Sequence, residues 1–319
     1  MDHKVDKTLK IGIALGSGSA RGWAHIGVLD ALKDMGIEPE IVAGCSIGAF
    51  VGAAYASEQL DVLEEWSKTL TWQEIIGFFD VSLSKGGLIQ GEKLFKFIRE
   101  KAGDPDISSL SKKFGAVATE LNTGREVWLR DGLLFESVRA SVAFPGLIAP
   151  SKYHNKWLID GGLINPVPVS LCRAMGADVV IAVNLNGDLM KSTPKTEEFN
   201  PVETELSTDD ESSFFERLST PLKLEINKQK NFFTSKFFNQ NVKSPGTFEV
   251  MASSINIMQD RITRSRMAGD VPEIIISPKL SQLGLLEFDK AKLAIEEGHA
   301  SVERARHVIE DVLFESYQP

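Results

Sequence analysis

A serine flanked by glycines, Gly44-Cys45-Ser46-Ile47-Gly48, stands where a β-branched run ends and an apolar stretch of small residues begins. The G-x-S-x-G spacing predicts a sharp strand-to-helix turn with Ser46 at its tip. Gly44 and Gly48 are small there because side chains would meet the approaching chain. Such a turn is a nucleophile elbow; the plainer reading is a tight turn feeding a buried helix. After it, Gly48, Ala49, Gly52, Ala53 and Ala56 repeat at helical spacing, giving a face that can lie close to a neighbouring backbone. The N-terminus of that helix points at Ser46, and its partial positive charge favours an alkoxide or oxyanion.

Two further groups have chemical potential. Gly16-Ser17-Gly18-Ser19-Ala20-Arg21-Gly22 links a strand to a helix, a general anion-binding arrangement. As a dinucleotide fingerprint it would need glycine at position 21, where Arg21 stands, and no Walker lysine follows. The other reading is an oxyanion hole of backbone N–H groups. Asp160-Gly161-Gly162 ends the run from Trp157, so the acid is poised to face a cleft; an Asp-Gly turn is the bland alternative.

The elements that must position these groups follow from periodicity. Residues 9–15 read as a buried strand, followed by a helical pattern at Trp23, Ile26, Val28, Leu29 and Leu32. With the strand before Ser46 this makes a β-α-β unit, and puts the glycine loop and Ser46 on neighbouring strand ends. A helical stretch over 60–79 carries Trp66, Trp72, Phe78 and Phe79, read as core, and a helix is expected over 92–101. Residues 114–120 and 125–129 read as paired strands, 136–144 as a helix stopped by Pro145-Gly146, and 178–185 as another buried strand. Near the C-terminus, Phe248, Met251, Ile255, Met258 and Ile262 predict a helix with an apolar core stripe. A strand at 273–277 and a helix from Asp289 to about Leu313 complete the chain.

Composition narrows the function classes. With 319 residues, 43% of them hydrophobic, the chain can bury a sizeable core. A net charge of −9 leaves no basic surplus for phosphates, which argues against a nucleic-acid partner. Cys45 and Cys172 sit in apolar surroundings and are too few for a disulfide framework or a cysteine metal site, as expected in a reducing compartment. The polar start and strand-length apolar run read as neither a signal peptide nor a membrane span, so a cytoplasmic protein is expected. No metal ligand cluster accompanies the candidate residues.

The expected organisation is a core over 9–186, an insertion over 187–245, and a C-terminal strand and helices over 246–319. Between Asp188 and Glu211 eight acids stand against two lysines, a composition that favours a solvated loop. Residues 214–238 interleave phenylalanine pairs with Arg217, Lys223, Lys228, Lys230 and Lys236. Peripheral contact with the inner face of a membrane is one reading, and a helix packed on the domain is the other.

The Gly16 to Gly22 loop, the Gly44 to Gly48 elbow, the segment from Arg139-Ala140-Ser141 to Phe144-Pro145-Gly146, and Asp160-Gly161-Gly162 occur together in an order that resembles the bacterial patatin-like phospholipases, in the subgroup related to neuropathy target esterase. The likeness covers about the first 185 residues and extends to 248–286. It implies a three-layer α/β/α fold with a mainly parallel sheet, and hydrolysis of phospholipid or related acyl esters without a cofactor or metal. It also implies Ser46 as nucleophile, Asp160 as proton acceptor, backbone donors at Ser17, Gly18 and Ser19, and loop support from Arg21 and Gly22. One departure is that Ser17 and Ser19 replace glycines found in many members. Two other classes stay open: an α/β-hydrolase, which needs a histidine after the acid, and a lipid-binding regulator with little turnover.

Overall fold

The computed structural model of the chain describes residues 9–71, 73–74, 99, 103–188 and 247–313. By its contacts the chain divides into residues 1–192 with 252–319, and residues 193–251. The sheet and the candidate site belong to the first unit.

Strand β1 (Ile11–Leu15) lies between two parallel partners, β2 (Ile41–Cys45) and β7 (Val179–Val183). Every residue of β2 and β7 is buried, which is why both read as unbroken apolar runs. Parallel pairing continues outward to β3 (Lys113–Glu120) beside β2 and to β8 (Ile274–Ile276) beside β7. Strands β4 (Glu126–Leu129), β5 (Ser151–Tyr153) and β6 (Lys156–Asp160) add antiparallel pairs at the β3 end of the sheet.

Side chains alternate across this sheet and feed two cores. Ile13 and Leu15 join Ile26, Leu29, Val51, Val138 and Val302 on one face, under α1 (Ala24–Asp34), α2 (Ile47–Ala56), α3 (Leu60–Thr69), α4 (Leu134–Ser141) and α7 (Ala291–Leu313). Ala14, Ala43, Val117 and Val180 face the other way and pack on Leu171 and Cys172 of α5 (Val169–Ala174). The result is the three-layer, mainly parallel α/β/α arrangement expected.

Register on β3 decides where the site lies. Val117 pairs with Cys45 of β2 and Trp128 of β4, whereas the next residue, Ala118, pairs with Asp160 of β6 and Val127 of β4. A strand has two edges, so β4 occupies one and β2 and β6 share the other. β2 runs parallel to β3 and β6 antiparallel, so their C-terminal ends meet head to head.

Some expectations shift. Trp66 meets Trp23 edge-on at 6.2 Å, whereas Trp72, Phe78, Phe79, the 92–101 helix apart from residue 99, and residues 189–246, the 214–238 segment included, lie outside the described residues. The C-terminal helix exists as α6 (Thr247–Gly269), but its stripe is not the one expected: Met258 is half exposed, and Ile255, Gln259 and Thr263 are buried. Those three share a face at i, i+4 and i+8, so a polar pair takes part in the buried side.

Candidate active site

Ser46 follows β2 and occupies the N-cap position of α2 with φ 56° and ψ −124°, a conformation that costs a non-glycine residue of order 1–3 kcal/mol. Its neighbours impose it. A Cβ on Gly44 would stand 2.4 Å from Ala49 Cα, and one on Gly48 2.1 Å from the Leu15 carbonyl oxygen, so neither position admits a side chain. The Ser46 amide donates to Ser141 Oγ at 2.9 Å, and that hydroxyl donates to the Val117 carbonyl at 2.6 Å. Ser141, on α4, therefore pins the elbow to β3.

Asp160 arrives from the opposite direction, fully buried. Ser46 Oγ donates to Asp160 Oδ2 at 2.5 Å, and the Gly162 amide donates to Oδ1 at 2.7 Å. The backbone of Asp160 is held as well: its amide donates to the Ala143 carbonyl at 3.0 Å, and its carbonyl accepts from Thr119 Oγ1 at 2.9 Å. Burial pushes the Asp160 carboxyl up from 3.8 to about 6, against the opposing pull of the Ser46 and Gly162 hydrogen bonds. Cys45, next to Ser46, is buried too; desolvation, then the nearby charges of Asp160 and Glu126, push its thiol well above its ordinary value. It stays protonated and is no competing nucleophile.

The glycine loop runs from β1 into a 3-10 turn (Ser19–Trp23), with Gly22 packed on Ile47 at the start of α2. Of the three expected donors, the Ser17 amide is already committed to the Pro166 carbonyl at 2.9 Å, because residues 16–17 extend the β1 edge alongside 166 and 183. The amides of Gly18 and Ser19 have no partner among the described residues. Ser19 holds a left-handed φ of 53°, supported by its own hydroxyl, which donates to the Leu285 carbonyl at 2.6 Å. Arg21 is 2% exposed and Nη1 donates to Asn186 Oδ1 at 3.0 Å; desolvation lowers the guanidinium to about 10. Its Nε is buried without a partner among the described residues.

No imidazole hydrogen-bonds Ser46 or Asp160 among the described residues. His25 is buried on α1 with Nε2 2.8 Å from the Gly16 carbonyl, and burial pushes it down to about 4. A neutral ring then donates from Nε2 and steadies the loop from behind. His154 lies in the β5–β6 turn and His307 pairs with Asp311 on the exposed side of α7. Among the described residues, no three His, Cys, Asp or Glu side chains form a metal-binding group, and no helix is long and apolar enough to cross a membrane.

Three contributors carry no local sequence signal. Ser141 lies inside a motif but its partners are remote, and Asn186 and Gln259 are polar residues brought to the loop from the turn after β7 and from α6. Apolar periodicity steps over them.

Comparison with known proteins places the chain in a family. The family model described as patatin-like phospholipase matches residues 13–173. An uncharacterized NTE family protein of Mycobacterium bovis is 31% identical over 337 residues, spanning 94% of this chain and 92% of its own length. Lysophospholipase nte1 of Aspergillus fumigatus is 32% identical over 201 residues, which is 60% of this chain and 13% of that protein. Patatin-like phospholipase domain-containing protein 6 of Mus musculus is 34% identical over 182 residues, 55% of this chain and 13% of its own.

Proposed function

The chain belongs to the patatin-like phospholipase family, and within that family of lipid acyl hydrolases we propose that it cleaves carboxylic ester bonds of phospholipids or lysophospholipids through Ser46 and Asp160 alone. The observation that carries this reading is the 2.5 Å hydrogen bond from Ser46 Oγ to Asp160 Oδ2, made by a serine on a strained elbow.

Ser46 Oγ attacks the ester carbonyl carbon as its proton passes to Asp160 Oδ2. Negative charge collects on the former carbonyl oxygen, where the free amides of Gly18 and Ser19 and the N-terminus of α2 stabilise it. Collapse breaks the bond to the alcohol, which leaves with the proton from Asp160, and the acyl group stays on Ser46. Asp160 then takes a proton from water, whose oxygen attacks the acyl-serine; the fatty acid departs and Ser46 regains its proton. A carboxyl titrating near 6 is ionised at neutral pH and basic enough to share a serine proton in the transition state.

A serine-directed fluorophosphonate, followed by peptide mapping, tests the nucleophile. Labelling at Ser46, with loss of lysophospholipid hydrolysis in Ser46→Ala, is the expected result. An unlabelled, folded wild-type protein that binds lipid would replace the reading with that of a lipid-binding regulator.

A further inference from the structure

Both serines that depart from the family's loop pattern are tied to the C-terminal half of the chain. Ser19 Oγ donates to the Leu285 carbonyl at 2.6 Å, and Ser17 Oγ donates to Gln259 Oε1 at 3.3 Å. Both anchors lie beyond residues 13–173, the stretch that matches the family model. Between them hang Gly18 and Ser19, whose amides have no partner among the described residues.

The polarity of the Gln259 contact is fixed from Arg21. A guanidinium only donates, so Asn186 must turn Oδ1 toward it. Asn186 Nδ2 then faces the Ser17 carbonyl at 3.5 Å and Gln259 Oε1 at 3.4 Å. With its oxygen accepting from Asn186 and Ser17, Gln259 directs Nε2 the other way, toward Gly162. A Cβ on Gly162 would stand 2.3 Å from that nitrogen, 2.9 Å from Asp160 Oδ1 and 3.0 Å from Ser17 Oγ. The amide nitrogen and the carboxylate therefore flank Gly162, at most about 5 Å apart, while the Asp160 oxygens take their hydrogen bonds from Ser46 and Gly162. Arg21, Asn186 and Gln259 are each no more than 2% exposed, so water does not compete for these bonds.

We propose that Gln259 is a positioning residue for acyl transfer: it clamps Ser17 so that the Gly18 and Ser19 amides keep their place beside the elbow. This rests on the proposed hydrolysis through Ser46. Helix α6 is by this account part of the site's scaffold, and a free rotation of the loop about Ser17 would cost the developing oxyanion its donors.

The test uses the full chain with Gln259→Met, Gln259→Glu, Ser17→Ala and the double variant Ser17→Ala/Gln259→Met. Hydrolysis of p-nitrophenyl butyrate gives kcat and KM, and hydrogen exchange by mass spectrometry follows the amides of residues 16–22. Loss of one oxyanion donor costs about 10²–10³ in kcat, so partial misplacement in Gln259→Met is expected to cost roughly tenfold or more with KM nearly constant. Exchange across 16–22 should quicken while the rest of the protein keeps its protection. The double variant should be no slower than Gln259→Met alone, because both remove one link. Gln259→Glu keeps an oxygen for Ser17 and Asn186 and should restore wild-type exchange in the loop. Wild-type kcat and exchange in Gln259→Met would overturn the proposal, as would a general loss of protection not confined to the loop. Failure of Ser46 to label sinks the hydrolytic reading instead, and the exchange comparison still decides whether Gln259 holds the loop.

Discussion

Replacing Asp160 by Asn should remove activity and stabilise the protein, by an amount that depends on pH. The folded carboxyl titrates near 6 and the unfolded one near 3.8, so the folded state holds its proton more tightly and ionisation of Asp160 works against folding. That cost grows as pH climbs through the interval between the two values and is constant above it. At about 1.36 kcal/mol per pKa unit, it is about 1 kcal/mol at pH ~4.5 and about 3 kcal/mol at pH ~7.5. Asparagine is neutral throughout, and its oxygen can still accept from the Gly162 amide. Urea unfolding of both proteins across this range should therefore show the Asp160→Asn advantage widening by about 2 kcal/mol toward neutral pH. The same variant should lose kcat by orders of magnitude, since amide nitrogen and oxygen cannot take the Ser46 proton. Parallel stability curves would refute the account of a carboxylate destabilised by burial, and retained turnover would refute its role as base.

Other perturbations separate local strain, support and proton transfer. Ser46→Gly and Ser46→Ala should both be inactive, with the glycine variant about 1 kcal/mol more stable because φ 56° and ψ −124° suit it better; equal melting temperatures would mean the elbow is unstrained. Ser141→Ala strands the buried Ser46 amide and Val117 carbonyl, so a loss of about 1–3 kcal/mol and a lower kcat are expected, and wild-type values for both would remove Ser141 from the site's support. His154→Gln and, on α7, His299→Gln and His307→Gln should leave esterase kcat within about twofold, whereas a loss of several orders in any cooperatively melting variant would make an imidazole the base. His25→Gln should cause a modest loss, because Nε2 holds the Gly16 carbonyl.

What the sequence made legible was local. At the elbow, Gly44 is demanded by backbone within five residues, at Gly48 and Ala49, whereas Gly48 is demanded by the backbone of Leu15 and Gly16 on the neighbouring strand end, and it was the G-x-S-x-G spacing that made both legible. The buried runs of β2 and β7 show their depth directly, because both faces of a parallel sheet are covered. What escaped depends on contacts across the chain. That the Ser17 amide is committed to Pro166 is a consequence of sheet-edge geometry, which no spacing within 16–22 encodes. Gln259 escaped because it interrupts an apolar period, and Met258 was favoured only for its hydrophobicity. The basicity of Asp160 was also hidden: with an ordinary carboxylate value it is a poor base, and only its complete burial at the end of β6 raises it.

In the proposed mechanism, that burial is what lets two residues do without a third. In a triad the acid exists to orient and stabilise an imidazole, which would otherwise rotate. A carboxylate has two equivalent oxygens, so spending one on a fixed donor orients the other. Here the Gly162 amide takes Oδ1, leaving Oδ2 aimed at Ser46, while Ala143 and Thr119 lock the Asp160 backbone on either side. The head-to-head strand ends on Val117 and Ala118 then fix the distance between the partners without any side chain having to reach. Orientation is supplied by backbone and basicity by desolvation. A carboxylate moved even one residue along β6 would point to the opposite face of the sheet, so the proposed chemistry requires the pairing of Ala118 with Asp160 as much as it requires the serine.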